Sequence, residues 1–250
     1  MTVSAQNLSV SYGRSTIVHS LSFDPLEGGT VVGLIGPNAA GKSTLVKAIA
    51  GIKKPTAGSV TISKGGAELT GRDRVEAIGY VPQDLLSSAT LTAFESVMVS
   101  ARRRGADGWD PLERTADVMH RLGITHLSDR LVSDMSGGQR QLVAVAQMLV
   151  REPSVMLLDE PTSALDLRHQ VELLQLICNE VRGTDRVALV AIHDLNLAAR
   201  YCDELLVLKA GRLVGQDTPP AVLTPDLLED VYGFRARVLD DAGVPVVCPV

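Results

Sequence analysis

No apolar run approaches the roughly 18 residues that a membrane-crossing helix needs, so nothing in these 250 residues is expected to span a bilayer. The start, "MTVSAQNLSV", has no charged segment followed by an apolar one, and no secretory signal is expected there. Cysteine is scarce: Cys178, Cys202 and Cys248 are odd in number, widely spaced and without a CxxC pair. They read as reduced, structural thiols in a cytosolic protein. A basic excess is missing too, and a formal charge of -5 gives no global reason to bind nucleic acid. There is no internal repeat and no low-complexity linker.

What remains is an ordinary globular composition, 45% hydrophobic and 21% charged. The length suits one large α/β domain with a sub-domain, or two small domains, and can bury a substantial core. Short apolar runs end in Gly, Asp or His and each leads into a helical pattern. "TVVGLIG" precedes "KSTLVKAIAG", "SVMLLDE" precedes "RHQVELLQLICNEV", and "RVALVAIHD" precedes "LNLAARYC". Such units predict a parallel sheet buried on both faces, with ligands at the carboxyl ends of its strands. Residues up to about Gly29, and Gly58–Leu69, alternate apolar and polar, which predicts an antiparallel sheet beside that core. From about Asp84 to Glu152 the pattern is mainly helical. Within it, Arg102, Arg103 and Arg104 read as a solvated helix end beside the loop "GADGWDP". From Pro219 the chain reads as a short appended tail ending in the strand-like "VPVVCPV".

"GPNAAGKS" fits G-x-x-x-x-G-K-[ST] and sits between a buried-type strand and a helix, the context a phosphate loop requires. Backbone N–H groups from Asn38 to Ser43 would wrap phosphates, Lys42 would reach the terminal pair, and the Ser43 hydroxyl would ligate Mg²⁺. Asp159 and Glu160 close an apolar strand, where one carboxylate can position Mg²⁺ and the other polarise an attacking water. His193 falls on the same rim; alone, a histidine there is more often a satisfied structural one. A second turn of the same general kind, Ser136-Gly137-Gly138-Gln139, opens another apolar helix, and a helix start is where an anion can seat.

"GPNAAGKST", Gln83 in "YVPQD", "MSGGQRQ", "VMLLDEPTSALD" and "IHD" follow one another in the order and spacing of an ATP-binding-cassette (ABC) ATPase. The chain resembles that family over nearly its whole length. The resemblance implies an α/β fold: a RecA-like P-loop NTPase core with an antiparallel β sub-domain and an inserted helical sub-domain. Residues 1–83 and 153–218 would form the core with its β sub-domain, 84–152 the helical sub-domain, and 219–250 a C-terminal extension. It implies ATP and Mg²⁺ as cofactors, with Gly36, Pro37, Asn38, Ala39, Ala40, Gly41, Lys42, Ser43 and Thr44 as the phosphate loop. Tyr12 in "SVSYG" would stack on adenine. Gln83 would sense Mg²⁺ and the γ-phosphate, Asp159 would hold the metal, Glu160 would be the general base and His193 the γ-phosphate switch. Two chains would face head to tail. Ser136, Gly137, Gly138, Gln139 and Asp166 would then serve the partner's nucleotide.

Two positions depart from the family pattern, Ala39 where glycine is usual and Met135 where leucine is commoner. A left-handed Ala39 would cost about 1–2 kcal/mol, so an ordinary right-handed conformation is expected there. "LTAFESVMVSARR", "PTSALDLRHQVELL" and the tail after Leu223 are similar to ATPases of ferric-siderophore, haem and cobalamin importers. By that resemblance the chain would be a motor subunit. Its partners would be a second ATPase subunit, permease subunits and, indirectly, a substrate-binding protein, with no nucleic acid. It would sit at the cytoplasmic face of the membrane, with the stretch from Gln83 to about Phe94 receiving a permease helix. The alternatives are an importer motor for another small cargo, or a soluble ABC ATPase acting on ribosomes or nucleic acid; the latter lacks support from a second cassette or a long coiled-coil insertion. A GTPase is disfavoured by the missing Asn-Lys-x-Asp guanine reader.

Overall fold

A computed structural model describes residues 1–85, 90–102 and 110–250. The first half runs β1 (Thr2–Tyr12), β2 (Ser15–Glu27), β3 (Val31–Ile35), α1 (Lys42–Ile49), β4 (Ala57–Lys64), β5 (Ala67–Glu68), α2 (Gly71–Ala77), β6 (Ile78–Val81), α3 (Ala93–Ala101) and α4 (Pro111–Arg121). It continues with α5 (Gly137–Leu149), β7 (Val155–Asp159), α6 (Leu167–Val181), β8 (Val187–Ala191), α7 (Leu195–Tyr201), β9 (Glu204–Lys209) and β10 (Arg212–Asp217). The last elements are α8 (Pro219–Val222), α9 (Pro225–Tyr232), β11 (Ala236–Asp241) and β12 (Val244–Pro249).

Six strands form the central sheet in the order β10-β9-β3-β8-β7-β6, parallel except for β10 at one edge. Every residue of β3, β7 and β8 is buried, as the continuous apolar runs require of strands covered on both faces. Successive side chains leave a strand on opposite sides, so each of these strands feeds two cores. Val32, Leu34, Val155 and Leu157 point to one, packed with Leu45, Val46 and Ile49 of α1 and with the antiparallel sheet. Val31, Ile35, Met156 and Leu158 point to the other, packed with Leu173, Leu174 and Ile177 of α6 and with Leu197 and Ala198 of α7.

The antiparallel sheet, β2-β1-β4-β5, lies over the first core. Val3, Ala5, Leu8 and Val10 are its buried row on β1, and Val18, Leu21, Phe23 and Leu26 that on β2. The described residues between β6 and β7 are mainly helical. Ala93, Val97 and Ala101 of α3 meet Val118 and Met119 of α4 and Val143, Val145 and Ala146 of α5. Thr92 and Glu95 close a capping box at the start of α3, and Asp110 caps α4 ahead of Pro111. Arg103, Arg104 and the loop after them as far as residue 109 lie outside the described residues.

The segment after Pro219 is built into the molecule. Leu223, Leu228, Val231, Ala236 and Val247 share the core of α6 and α7. Cys178 and Cys202 are buried free thiols and Cys248 is half-buried and free. Burial pushes the Cys178 thiol up, as expected of an inert structural cysteine.

Candidate nucleotide site

β3 ends at Ile35 and α1 begins at Lys42, and the six residues between turn back over the carboxyl edge of the parallel sheet. Gly41 caps α1 in the left-handed conformation, φ 103°, with no side chain bonded to the first helical N–H groups. A side chain at this backbone angle would be strained, and without a capping side chain the first amides of α1 stay open to a ligand. The Ala40 N–H is taken by the Pro37 carbonyl (3.2 Å), while the Ala40 carbonyl accepts from Gly211 N (2.9 Å). The loop is thereby tied to the β9–β10 turn. Ala39 corrects the sequence expectation: its φ is +62°, in the left-handed region. The tethers at Ala40 fix the path of the loop, and that closure overrides the local cost of about 1–2 kcal/mol.

Around this loop lies a cavity of about 730 Å³ lined by Tyr12, Ile17, residues 38–44, Gln83, Glu160 and His193. Lys42 is buried and donates to the carbonyls of Gly36 (2.8 Å) and Pro37 (3.2 Å). Burial pulls its ammonium below the usual lysine range, against the raising influence of Glu160 and Asp159. Ser43 Oγ donates to Asp159 Oδ1 at 2.9 Å. Asp159 is fully buried at the end of β7, and its Oδ2 has no partner among the described residues. Burial raises its carboxyl above the ordinary value, with the Ser43 bond opposing. A hydroxyl beside a half-satisfied buried carboxylate is a pair of hard oxygen donors, which fits Mg²⁺.

Both oxygens of Glu160 are occupied. Gln83 Nε2 donates to Oε2 (2.7 Å), and His193 Nε2 lies 2.5 Å from Oε1. Glu160 itself stands at φ +54°, a second strained non-glycine residue in the cavity wall.

Tyr12 is half-exposed at the mouth, with Lys53 Nζ 4.2 Å from its ring centroid. Neither Lys53 nor Ile17 carries a sequence signal of its own, and sequence reasoning missed both.

Ser136–Gln139 and Asp166 do not line this cavity. Ser136 Oγ accepts from Gln139 N (3.2 Å) while Gln139 Oε1 accepts from Ser136 N (3.1 Å), a closed capping box at the start of α5. Gly138 packs on the turn before α6: a Cβ there would lie 2.7 Å from the Ala164 carbonyl oxygen. Asp166 caps α6, accepting from His169 N at 3.0 Å.

Residues 18–163 match the ABC transporter family. Over 98% of its length and 93% of the relative's, the chain is 34% identical to the ferric enterobactin transport ATP-binding protein FepC of Escherichia coli (strain K12). It is 37% identical to the hemin import ATP-binding protein HmuV of Gloeobacter violaceus, covering 89% of this chain and 85% of that one. Among solved structures it is similar to the ATP-binding cassette MJ0796, a dimer in a post-hydrolysis state bound to ADP and Pi. There the TM-score is 0.74 at 26% identity, over 87% of this chain and 98% of the other.

Proposed function

The chain belongs to the ABC transporter family, and from that premise we propose that it is the ATP-hydrolysing motor of an importer for ferric siderophore or haem. The ATPase activity rests on one observation above all: a single cavity gathers an uncapped phosphate loop, a buried lysine and a carboxylate held between Gln83 and His193. The cargo reading is supported by the names of the relatives, which transport ferric enterobactin and hemin. Cobalamin is a third cargo on the sequence resemblance of the tail.

The residues divide the work by position. Open N–H groups of the phosphate loop receive the phosphates, and Lys42 exchanges its loop carbonyls for phosphate oxygens, a charge-assisted gain. Tyr12 at the mouth takes the base. Ser43, Asp159 and Gln83 would hold Mg²⁺, which when bound would neutralise charge developing on the phosphate oxygens. Glu160 takes a proton from the attacking water. Each of its oxygens keeps a second lone pair for that proton, and arrival of the γ-phosphate draws His193 or Gln83 away and strengthens the base.

Ser136–Gln139 and Asp166 do not reach this chain's own cavity, and they serve a second subunit packed head to tail. A neighbouring groove of about 410 Å³, lined by Tyr80, Asp84, Leu85, Ser96, Arg140 and Gln147, is where a permease helix docks. Arg140 also donates to the Met135 carbonyl at 2.5 Å, which links groove and Ser136 turn. Residues 86–89 of the expected docking stretch lie outside the described residues. No helix among the described residues is long and apolar enough to cross a membrane. The subunit attaches to the cytoplasmic face through the permease.

Glu160→Gln tests the reading. General-base assistance is worth about 10²–10⁴ in rate, roughly 3–5 kcal/mol of barrier, so hydrolysis nearly stops while ATP still binds. With ATP and Mg²⁺ the variant shifts from monomer to dimer on a sizing column with light scattering. Equal dimerisation without nucleotide contradicts the head-to-tail arrangement.

A further inference from the structure

His193 hangs from a short connection. The Ile192 N–H, on its strand side, donates to the Leu34 carbonyl at 3.2 Å. On its helix side, Asp194 caps α7, its Oδ1 accepting from Asn196 N (2.8 Å) and Leu197 N (3.0 Å). The strand-side anchor belongs to the central sheet. The helix-side anchor is only as firm as α7, which has seven residues, too few to be stable unless packing holds it.

Core packing of Leu197 and Ala198 gives part of that hold, and the hairpin of β11 and β12 adds to it at the first turn. Asn196 Oδ1 accepts from Val247 N (2.7 Å), and Asn196 Nδ2 donates to the Val247 carbonyl (3.3 Å). One side-chain amide thus satisfies both backbone groups of a single strand residue, as a neighbouring strand would. Val247 is buried in the same core as Leu197 and Ala198. Arg200, one turn beyond Asn196, pairs with Asp241 of β11 at 2.6 Å.

We propose that Asn196 is a positioning residue for ATP hydrolysis, acting through His193: by clasping Val247 it lets the C-terminal hairpin fix the start of α7, and so the reach of His193 to Glu160. The inference rests on the reading of His193 given above. It assigns the segment after Leu223 a role in setting the geometry of the catalytic rim.

The test uses the full chain with Mg-ATP and two variants. Asn196→Ala removes both bonds. Asn196→Asp keeps the size and the acceptor but sets a carboxylate against the Val247 carbonyl, and carries the same readouts should the alanine variant fold poorly. Amide hydrogen exchange, without nucleotide, is expected to speed up at least about tenfold across residues 193–201. Unchanged protection in both variants overturns the proposal. In steady-state hydrolysis kcat falls about tenfold, the scale of a group displaced by a fraction of an ångström, with KM for ATP within about twofold. His193→Ala combined with Asn196→Ala is expected to be no slower than His193→Ala alone, within about twofold. Multiplying losses, or a raised KM at unchanged kcat, overturn it. Wild-type hydrolysis by His193→Ala defeats the reading of His193 instead, and faster exchange in the Asn196 variants still shows the clasp.

Discussion

The helices α1 and α5 both start at a glycine-containing turn, yet they differ in how their ends are capped. Gly41 offers α1 no side-chain cap, and the turn before it opens into a cavity of about 730 Å³. Ser136 and Gln139 satisfy each other's N–H groups at the start of α5, a box that uses neither the Gly137 nor the Gly138 amide. The first site is shaped to be filled by a ligand of its own chain, since uncapped amides gain most from an arriving anion. The second is stable empty, and presents only part of an anion site. It suits a turn that meets a nucleotide carried by another subunit.

The comparison breaks most sharply at Ser136. In the Glu160→Gln background, Ser136→Arg puts bulk and positive charge where the head-to-tail proposal seats the partner's γ-phosphate. The ATP-dependent shift to dimer should vanish in light scattering while ATP binding by each chain persists. Loss of both together would mean that the α5 start serves its own chain's nucleotide. Lys42→Ala acts at the other helix start. Hydrogen bonds to charged groups are worth about 1.5–3 kcal/mol, so the affinity for ATP falls by about one to two orders of magnitude or drops out of range in a calorimetric titration. Unchanged affinity removes the phosphate-loop assignment.

Asp159→Asn sharpens the picture from the side of stability. Burial raises the folded carboxyl above its ordinary value, so the ionised group opposes folding at neutral pH, and that cost fades as the pH falls through the raised value. The nucleotide-free variant should be more stable than the wild type by about 1 kcal/mol at pH 7, or about 2–4 °C in Tm. The advantage should shrink toward acid pH, and Mg²⁺-dependent hydrolysis should be lost. A lower Tm at pH 7 rejects the half-satisfied carboxylate. The smallest effect is at Ala39→Gly. Release of left-handed strain, offset by the greater freedom of glycine in the unfolded chain, leaves a gain of at most about 1 kcal/mol. ATP affinity stays level in the same titration; a marked loss of stability would argue against the positive φ.

Most of the site was legible because its residues are punctuation at strand ends. Lys42 and Ser43 follow β3, Asp159 and Glu160 end β7, and His193 follows β8, so the apolar runs predicted the rim before any contact was known. The antiparallel sheet was legible from its alternation. Ala39 was not, because propensity prices a residue alone while the tethers of Ala40 to Pro37 and Gly211 act on the whole loop. Ile17 and Lys53 were not legible either, for an isoleucine in a strand and a lysine in a loop are common everywhere.

By itself the sequence determined which strands are buried on both faces, where the chain turns at their carboxyl ends, and which charged residues those turns carry. All of that follows from local patterns of polarity and from glycine and capping chemistry. Only the tertiary structure decided that Glu160 is held between Gln83, 77 positions before it, and His193. It alone decided that Gly138 must be small to admit the Ala164 carbonyl, and that a tail strand clasps Asn196. These are contacts between segments far apart in the chain. Their distances are set by how two cores pack around one sheet, which no local pattern of residues encodes.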